Sequence, residues 1–231
     1  MSGMFLYCSS LEIIKFASIN TEKVDDMADM FHGCSSLKNL DLSKFNVENV
    51  NNMEDMFYGC TSLKNLDLSK FNSENVDNMA NMFYECTSLK ELILQKPLSD
   101  NEITYFKTDK VKNMSFMFAK CESLKNINLS KFRTDRVRNI SFMFYKCEKL
   151  ESIDLSSFNV DKVINMSNMF NGCQCKEYNL ENLHIHEHCK LDYIFQDIVY
   201  IHTYPPFKCT VLKSSDDKLK EKFEDKKCLI I

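Results

Sequence analysis

A spacing of 26 residues runs through most of this chain and constrains its fold more than any other feature. The pattern Phe-x-x-Cys recurs seven times, at intervals of 26, 26, 26, 35, 26 and 26 residues. Its copies begin at Phe5, Phe31, Phe57, Phe83, Phe118, Phe144 and Phe170. The long interval is 26 plus a nine-residue insertion within residues 95–105. Because one such unit cannot bury its apolar face alone, the copies are expected to stack.

Each unit has two halves with different apolar spacings. Apolar residues three or four positions apart predict a short helix in the first half, here Val50, Met53, Phe57 and Cys60. The second half has the L-x-x-L-x-L spacing typical of a leucine-rich repeat strand, here Leu63, Leu66 and Leu68. The alternation predicts that Leu66 and Leu68 point inward. The sequence therefore predicts an α/β repeat protein with a parallel sheet on its concave side and short helices on the other.

Seven of the eleven cysteines occupy the same position in successive units. Packed helices lie about 8–10 Å apart, whereas a disulfide needs α-carbons within about 7 Å. We therefore expect unpaired, buried thiols, which fit a reducing compartment better than secretion. The first residues also lack the pattern of a signal peptide.

The repeated pattern M-x-x-M-F-x-x-C-x-S-L-K-x-L-D-L-S-K-F-N resembles that of the BspA-like leucine-rich repeat family over roughly residues 1–172. The resemblance implies a right-handed, curved solenoid of about seven coils without catalytic residues. In many members of that family it also implies surface display and adhesion to host or neighbouring cells. The solenoid is expected to span residues 1–182, followed by a cap over residues 183–212 and a flexible tail over residues 213–231.

Polar residues at the outward strand positions predict a concave stripe that binds a protein partner. The alternative is that this polar face merely keeps the sheet soluble. The insertion interrupts the stripe beside an exposed Ile93, and loops on a rigid scaffold commonly carry binding. The candidate partner-binding residues are Asn65, Asp67, Ser69, Ile93, Asn126, Asn128 and Asp154.

Three alternating histidines follow the last clear unit. His184, His186, His188 and Cys189 are weak candidates for a zinc site, because zinc accepts imidazole and thiolate ligands. Neither a Cys-x-x-Cys pair nor a helical histidine pair accompanies them. Exposed histidines on a capping strand are the favoured interpretation, and no metal is expected.

The last four residues, Cys228-Leu229-Ile230-Ile231, form the C-a-a-X pattern of prenylation. An aliphatic final residue resembles the geranylgeranyl class, although the pattern does not decide between this and a farnesyl group. One lipid holds a protein only marginally at a membrane, so reversible anchoring is expected. The alternatives are coincidence and a bacterial source that has no prenyltransferase.

Composition and motifs exclude other classes of function. A net charge of −4 and a pI near 5.8 provide no basic field for nucleic acid. The sequence has no glycine-rich phosphate loop, serine nucleophile elbow or zinc-protease helix, so we expect no enzyme, cofactor or small-molecule substrate. The sequence favours a cytoplasmic, prenylated scaffold that binds a protein partner at the inner face of a membrane. The alternative is a cell-surface adhesin or a fragment of one.

Overall fold

The structure is a computed structural model that describes residues 1–99, 102–196, 211–213, 216–224 and 229–230. Most of it consists of short strands, single β-bridges and turns, with one α-helix in the described residues. The elements are β1 (Asn65–Asp67), β2 (Glu91–Ile93), β3 (Gln95–Ser99), β4 (Glu102–Tyr105), β5 (Ser152–Asp154), β6 (Glu177–Asn179), β7 (Val211–Lys213), α1 (Asp217–Glu224) and β8 (Leu229–Ile230).

Successive repeats pair with each other in parallel. β1 pairs with β2 so that Leu66 lies opposite Leu92, 26 residues further along the chain. A four-stranded parallel sheet has the order β5-β6-β7-β8. Single parallel bridges link equivalent residues elsewhere, such as Asn52 with Asn78 and Asn139 with Asn165. The predicted parallel pairing of successive units is therefore confirmed.

The asparagines in these bridges also form local turns. The side-chain oxygen of Asn113 accepts the backbone N–H of Ser115 at 3.1 Å, and Asn139 does the same for Ser141 at 3.1 Å. An asparagine that bonds the backbone two residues on mimics a backbone turn. These bonds explain why a residue with a short side-chain acceptor, Asn or Asp, recurs at this position.

The first half of each repeat is a series of turns and not the short helix that the sequence predicts. Met56 donates its backbone N–H to the carbonyl of Met53 at 3.4 Å, which closes a four-residue turn. Asp55, the third residue of that turn, has a φ of 56°. A right-handed helix excludes positive φ, whereas a type II turn requires it at this position. The prediction of short helices in the repeats is therefore wrong.

Backbone hydrogen bonds join neighbouring repeats on this turn side as well. The N–H of Asp55 donates to the carbonyl of Ala80 at 3.0 Å, and that of Phe57 to the carbonyl of Met82 at 2.9 Å. The N–H of Met56, which lies between them, closes a turn within its own repeat. The repeats are therefore about as close as paired strands, roughly 4.8 Å, and not at the spacing of packed helices.

Stacked phenylalanines form the centre of the core. Phe57 and Phe83 are fully buried, with ring centroids 5.5 Å apart and an interplanar angle of 7°. The column continues beyond the clear sequence repeat, because Phe195 stacks on Phe170 at 5.3 Å. The predicted cap therefore begins as a further repeat, with Ile194 and Phe195 at the usual Met-Phe positions.

The repeated cysteines hydrogen-bond to this column instead of to each other. The thiol of Cys60 donates to the carbonyl of Phe31 at 3.2 Å, and that of Cys86 to the carbonyl of Phe57 at 3.1 Å. The described cysteines are free thiols. The predicted free thiols are confirmed for these cysteines, although Cys8 is exposed and not buried. Helix spacing is not the reason that they stay unpaired, because the turns place successive cysteines closer together than packed helices would.

Two elements fall inside residues 213–231, where the sequence predicts a flexible tail. Helix α1 is capped by Asp216, whose carboxylate accepts the N–H of Lys218 at 3.0 Å and that of Leu219 at 3.3 Å. Asp216 also accepts the N–H of Ile185 at 2.8 Å, and the Leu219 side chain is fully buried. This apolar anchor, which the sequence did not indicate, ties α1 to the stacked repeats.

Candidate binding surface

The strand face carries most of the predicted stripe at its surface. In β1, exposed Asn65 and Asp67 flank buried Leu66. Asn126 and Asn128 are exposed two repeats further along. Asp154 is exposed at the end of β5. The period-two alternation thus places these five polar residues on the side of the strands that faces away from the core.

Ser69 does not belong to the exposed stripe. Only 1% of its surface is accessible, so its predicted outward orientation is wrong. Its backbone N–H and its hydroxyl both donate to Oδ1 of Asp67, at 2.9 and 2.6 Å. Asn128 accepts the same two bonds from Ser130 at 3.1 and 2.8 Å. One side-chain oxygen of Asp67 and one of Asn128 are therefore already used to form a turn at the end of the strand.

The electrostatics of Asp67 follow from these bonds. Burial raises the pKa of the Asp67 carboxyl, but the two hydrogen bonds from Ser69 and the nearby Lys96 outweigh it and lower the pKa overall. The Lys96 ammonium lies 3.5 Å from Oδ2 of Asp67. Asp67 is therefore held as an anion at the edge of the insertion.

The insertion is an antiparallel hairpin and not the predicted loop. β3 pairs with β4, so that Gln95 lies opposite Tyr105 and Pro97 opposite Ile103, with a register shift between Pro97 and Ser99. In the other repeats the chain passes from the strand to the next repeat within two residues. Here nine extra residues are inserted at that point, which gives β3 and β4 enough length to pair. Ile93 is half-buried in β2 and not exposed as predicted.

An open cleft of about 370 Å³ lies where β4 meets the end of the preceding repeat. Its exposed apolar side chain is Ile103, which is 46% accessible. The side-chain oxygen of Asn72 is buried here and has no hydrogen-bond partner among the described residues. The lining residues are Ser69, Lys70, Phe71, Asn72, Ile103, Thr104, Tyr105 and Lys107. An open apolar surface with a few polar side chains around it is typical of a site that binds a partner's side chain.

An ion pair lines a second cleft of about 340 Å³ beside this one. The Lys107 ammonium lies 2.7 Å from a carboxylate oxygen of Glu74. Their hydrogen bond lowers the pKa of Glu74 and raises that of Lys107. Tyr105 and Lys107 line both clefts, which places a hydroxyl and a cation between them. The predicted insertion includes Tyr105, but the sequence did not indicate Lys107, which looks like an ordinary repeat residue.

The histidine segment does not assemble a three-ligand site within the described residues. His184 and His186 are exposed and alternate with buried Leu183 and Ile185, but no strand spans them. His188 is exposed as well, and its ring centroid lies 5.5 Å from that of His186. Burial raises the pKa of the half-buried Cys189 thiol to about 11, which disfavours the thiolate that a metal would need.

The terminal motif is only partly described. Cys228, the predicted prenylation site, lies outside the described residues, whereas Leu229 and Ile230 form β8 beside β7. No helix in the described residues is long and apolar enough to cross a membrane.

Fold and surface together define a repeat protein with stacked parallel units, a polar strand face and a hairpin beside an open cleft. The family described as "Mycoplasma protein of unknown function, DUF285" matches residues 1–98 and 91–203, and the chain belongs to this family. Comparison with curated proteins gave no match.

Proposed function

We propose that this chain is a non-catalytic protein-binding scaffold, built as a right-handed leucine-rich repeat solenoid of the BspA-like type. The strand face and the hairpin cleft bind a protein partner, and prenylated Cys228 holds the complex at the cytoplasmic face of a membrane.

The observation that supports binding most directly is the combination of a repetitive face with one irregular element. The exposed strand positions are nearly the same in successive repeats, and several of their oxygens are engaged in turns. Such a face offers a large contact area but little means of distinguishing one partner from another. The β3–β4 hairpin occurs once in the described residues and places Ile103 and Tyr105 beside this face, with Lys107 directly after it, so specificity is expected there.

Substitution at the hairpin tests this role. Ile103→Asn removes the exposed apolar side chain of the cleft, whereas Ile164→Asn makes the same change at an isoleucine that is 57% accessible and lies outside the cleft. After cross-linking in the native cells, we expect the partner bound by the wild type to be lost from Ile103→Asn and retained by Ile164→Asn. Equal recovery by both variants would refute binding at the cleft.

The anchoring role is tested separately. Cys228→Ser should move the chain from the membrane fraction to the soluble fraction, because it removes the only thiol that a C-a-a-X motif can modify. Cys8→Ser, at an exposed cysteine far from the motif, is the matched control and should leave the distribution unchanged. Intact mass of the native protein should show the added prenyl group. An unmodified mass would exclude this form of anchoring.

A surface adhesin is the second candidate, and the family description favours it because it names a bacterium, Mycoplasma. A bacterial source would lack the prenyltransferase, and the strand face would then bind proteins of a host or of neighbouring cells. Labelling of intact cells with an impermeant amine reagent distinguishes the two. Labelling of exposed lysines supports the adhesin, and protection from the reagent supports the cytoplasmic scaffold.

A further inference from the structure

Three potential metal ligands meet on the turn side, far along the chain from the hairpin and the histidine segment. They are Asp29, His32 and Asp55. One ligand atom from each lies within 4.8 Å of the other two. Asp29 and His32 belong to one repeat and Asp55 to the next, so the cluster forms only when these repeats stack.

The imidazole is held in place by its neighbours. Nδ1 of His32 lies 2.7 Å from Oδ1 of Asp29. The ring stacks on Tyr58 of the next repeat, with centroids 4.5 Å apart, and meets the edge of Tyr7 at 5.0 Å. Contacts on both sides restrict the rotamers of His32, which lowers the entropy that ligand binding would cost.

The two carboxylates are close and lack a permanent cation. Burial raises the pKa of Asp55, and the charges of Asp29 and Glu54 raise it further. Among the described residues, no lysine or arginine forms an ion pair with Asp29 or Asp55. The site therefore concentrates negative charge, which His32 and a hydrogen bond from Asn81 to Asp55 offset in part.

The repeat itself does not require these ligands. The position of Asp29 and Asp55 is filled in the later repeats by Asn81, Phe116, Phe142 and Asn168, all with positive φ. The position of His32 is filled by Tyr58, Tyr84, Ala119, Tyr145 and Asn171. Within the repeats, an imidazole and two carboxylates coincide at this one junction.

We propose that Asp29, His32 and Asp55 bind one divalent first-row transition-metal ion, through one oxygen of each carboxylate and one imidazole nitrogen. Such a mixed oxygen and nitrogen set suits ions such as Mn²⁺, Fe²⁺, Co²⁺ and Zn²⁺. Ligand atoms about 2.1 Å from an ion in tetrahedral or octahedral geometry lie roughly 3.0–3.4 Å apart. The Asp29–His32 pair would therefore need to open by less than about 1 Å, with water completing the coordination.

Titration of the full chain with Mn²⁺, followed by the electron paramagnetic resonance signal of the free ion, tests the site. Mn²⁺ is chosen because free thiols such as the exposed Cys8 bind it weakly, whereas they would compete for Zn²⁺. We expect saturation at one equivalent per chain. Absence of saturable binding would overturn the proposal.

The repeat supplies variants that are expected to fold. Asp29→Asn, Asp55→Asn and His32→Tyr each introduce a residue that the chain already carries at the equivalent position of another repeat. Each should weaken Mn²⁺ binding by at least about tenfold, with an unchanged circular dichroism spectrum. His188→Tyr is the matched control and should bind like the wild type. Equal affinity in all four variants would place the ion elsewhere and refute the assignment.

Discussion

Replacing Phe83 with alanine should be among the most damaging single changes to this protein. Phe83 is fully buried and stacks on Phe57 and Phe118, with ring centroids 5.5 Å away on each side. Truncation of a core phenylalanine costs about 3–5 kcal/mol. Two ring contacts are lost at once, each adding about 0.5–1.5 kcal/mol beyond burial. We therefore expect a loss near the upper end of that range, about 5 kcal/mol.

The first phenylalanine of the column provides the comparison. Phe5 is only partly buried and stacks on one ring of the column, Phe31, at 5.3 Å. In a repeat array each unit contacts only its neighbours, so Phe5→Ala removes one interface where Phe83→Ala removes two. The loss of unfolding free energy for Phe5→Ala should be about half as large, about 2.5 kcal/mol. Urea unfolding followed by circular dichroism measures both, and equal losses of unfolding free energy would refute nearest-neighbour stacking as the source of stability.

Three further predictions concern the thiols, a carboxylate and the C-terminal helix. Burial raises the pKa of Cys86 to about 12. In the native protein at pH 8, a disulfide reagent should therefore modify the exposed Cys8 rapidly and Cys86 only on unfolding. Rapid reaction of Cys86 would contradict its burial. The pKa of Asp55 is raised in the folded protein, so ionisation of its carboxyl lowers the free energy of unfolding at neutral pH. This destabilisation disappears as the pH falls below 3.8, the pKa of the carboxyl in the unfolded chain. Asp55→Asn should therefore raise the unfolding free energy at pH 7 by less than about 1 kcal/mol, given solvent screening, with no gain near pH 3 in the same urea assay. Asp216→Ala removes the cap of α1, and it should cost about 1–2 kcal/mol and increase amide exchange within Asp217–Glu224; unchanged exchange would show that the cap does not hold the helix.

The spacing of residues was sufficient to predict the repeat and its parallel pairing. A strict 26-residue period admits few arrangements other than stacking, because each unit exposes the same apolar residues to the next. The alternation of Leu66 and Leu68 with Asn65 and Asp67 likewise fixes which side of the strand is buried. The period and the alternation are both read directly from residue spacing, so the sequence alone could determine these features.

The turn half shows where periodicity misleads. Residues three or four apart share one side of a helix, but they also share one side of a series of four-residue turns. Positive φ at Asp55 and Gly59 distinguishes the two, and Asp and Gly both tolerate it. Phenylalanine at the equivalent positions 116 and 142 hides this signal, because a bulky residue rarely adopts such a conformation.

Only the stacked structure could reveal the candidate sites. The insertion was visible in the sequence, but its pairing as a hairpin and its cleft with Phe71 and Asn72 depend on the preceding repeat. Asp29, His32 and Asp55 resemble scattered polar residues until the repeats are bonded about 4.8 Å apart. The sequence determined which residues recur and which side of each strand is buried. The tertiary structure decided which residues meet, because contacts between repeats join positions 26 residues apart.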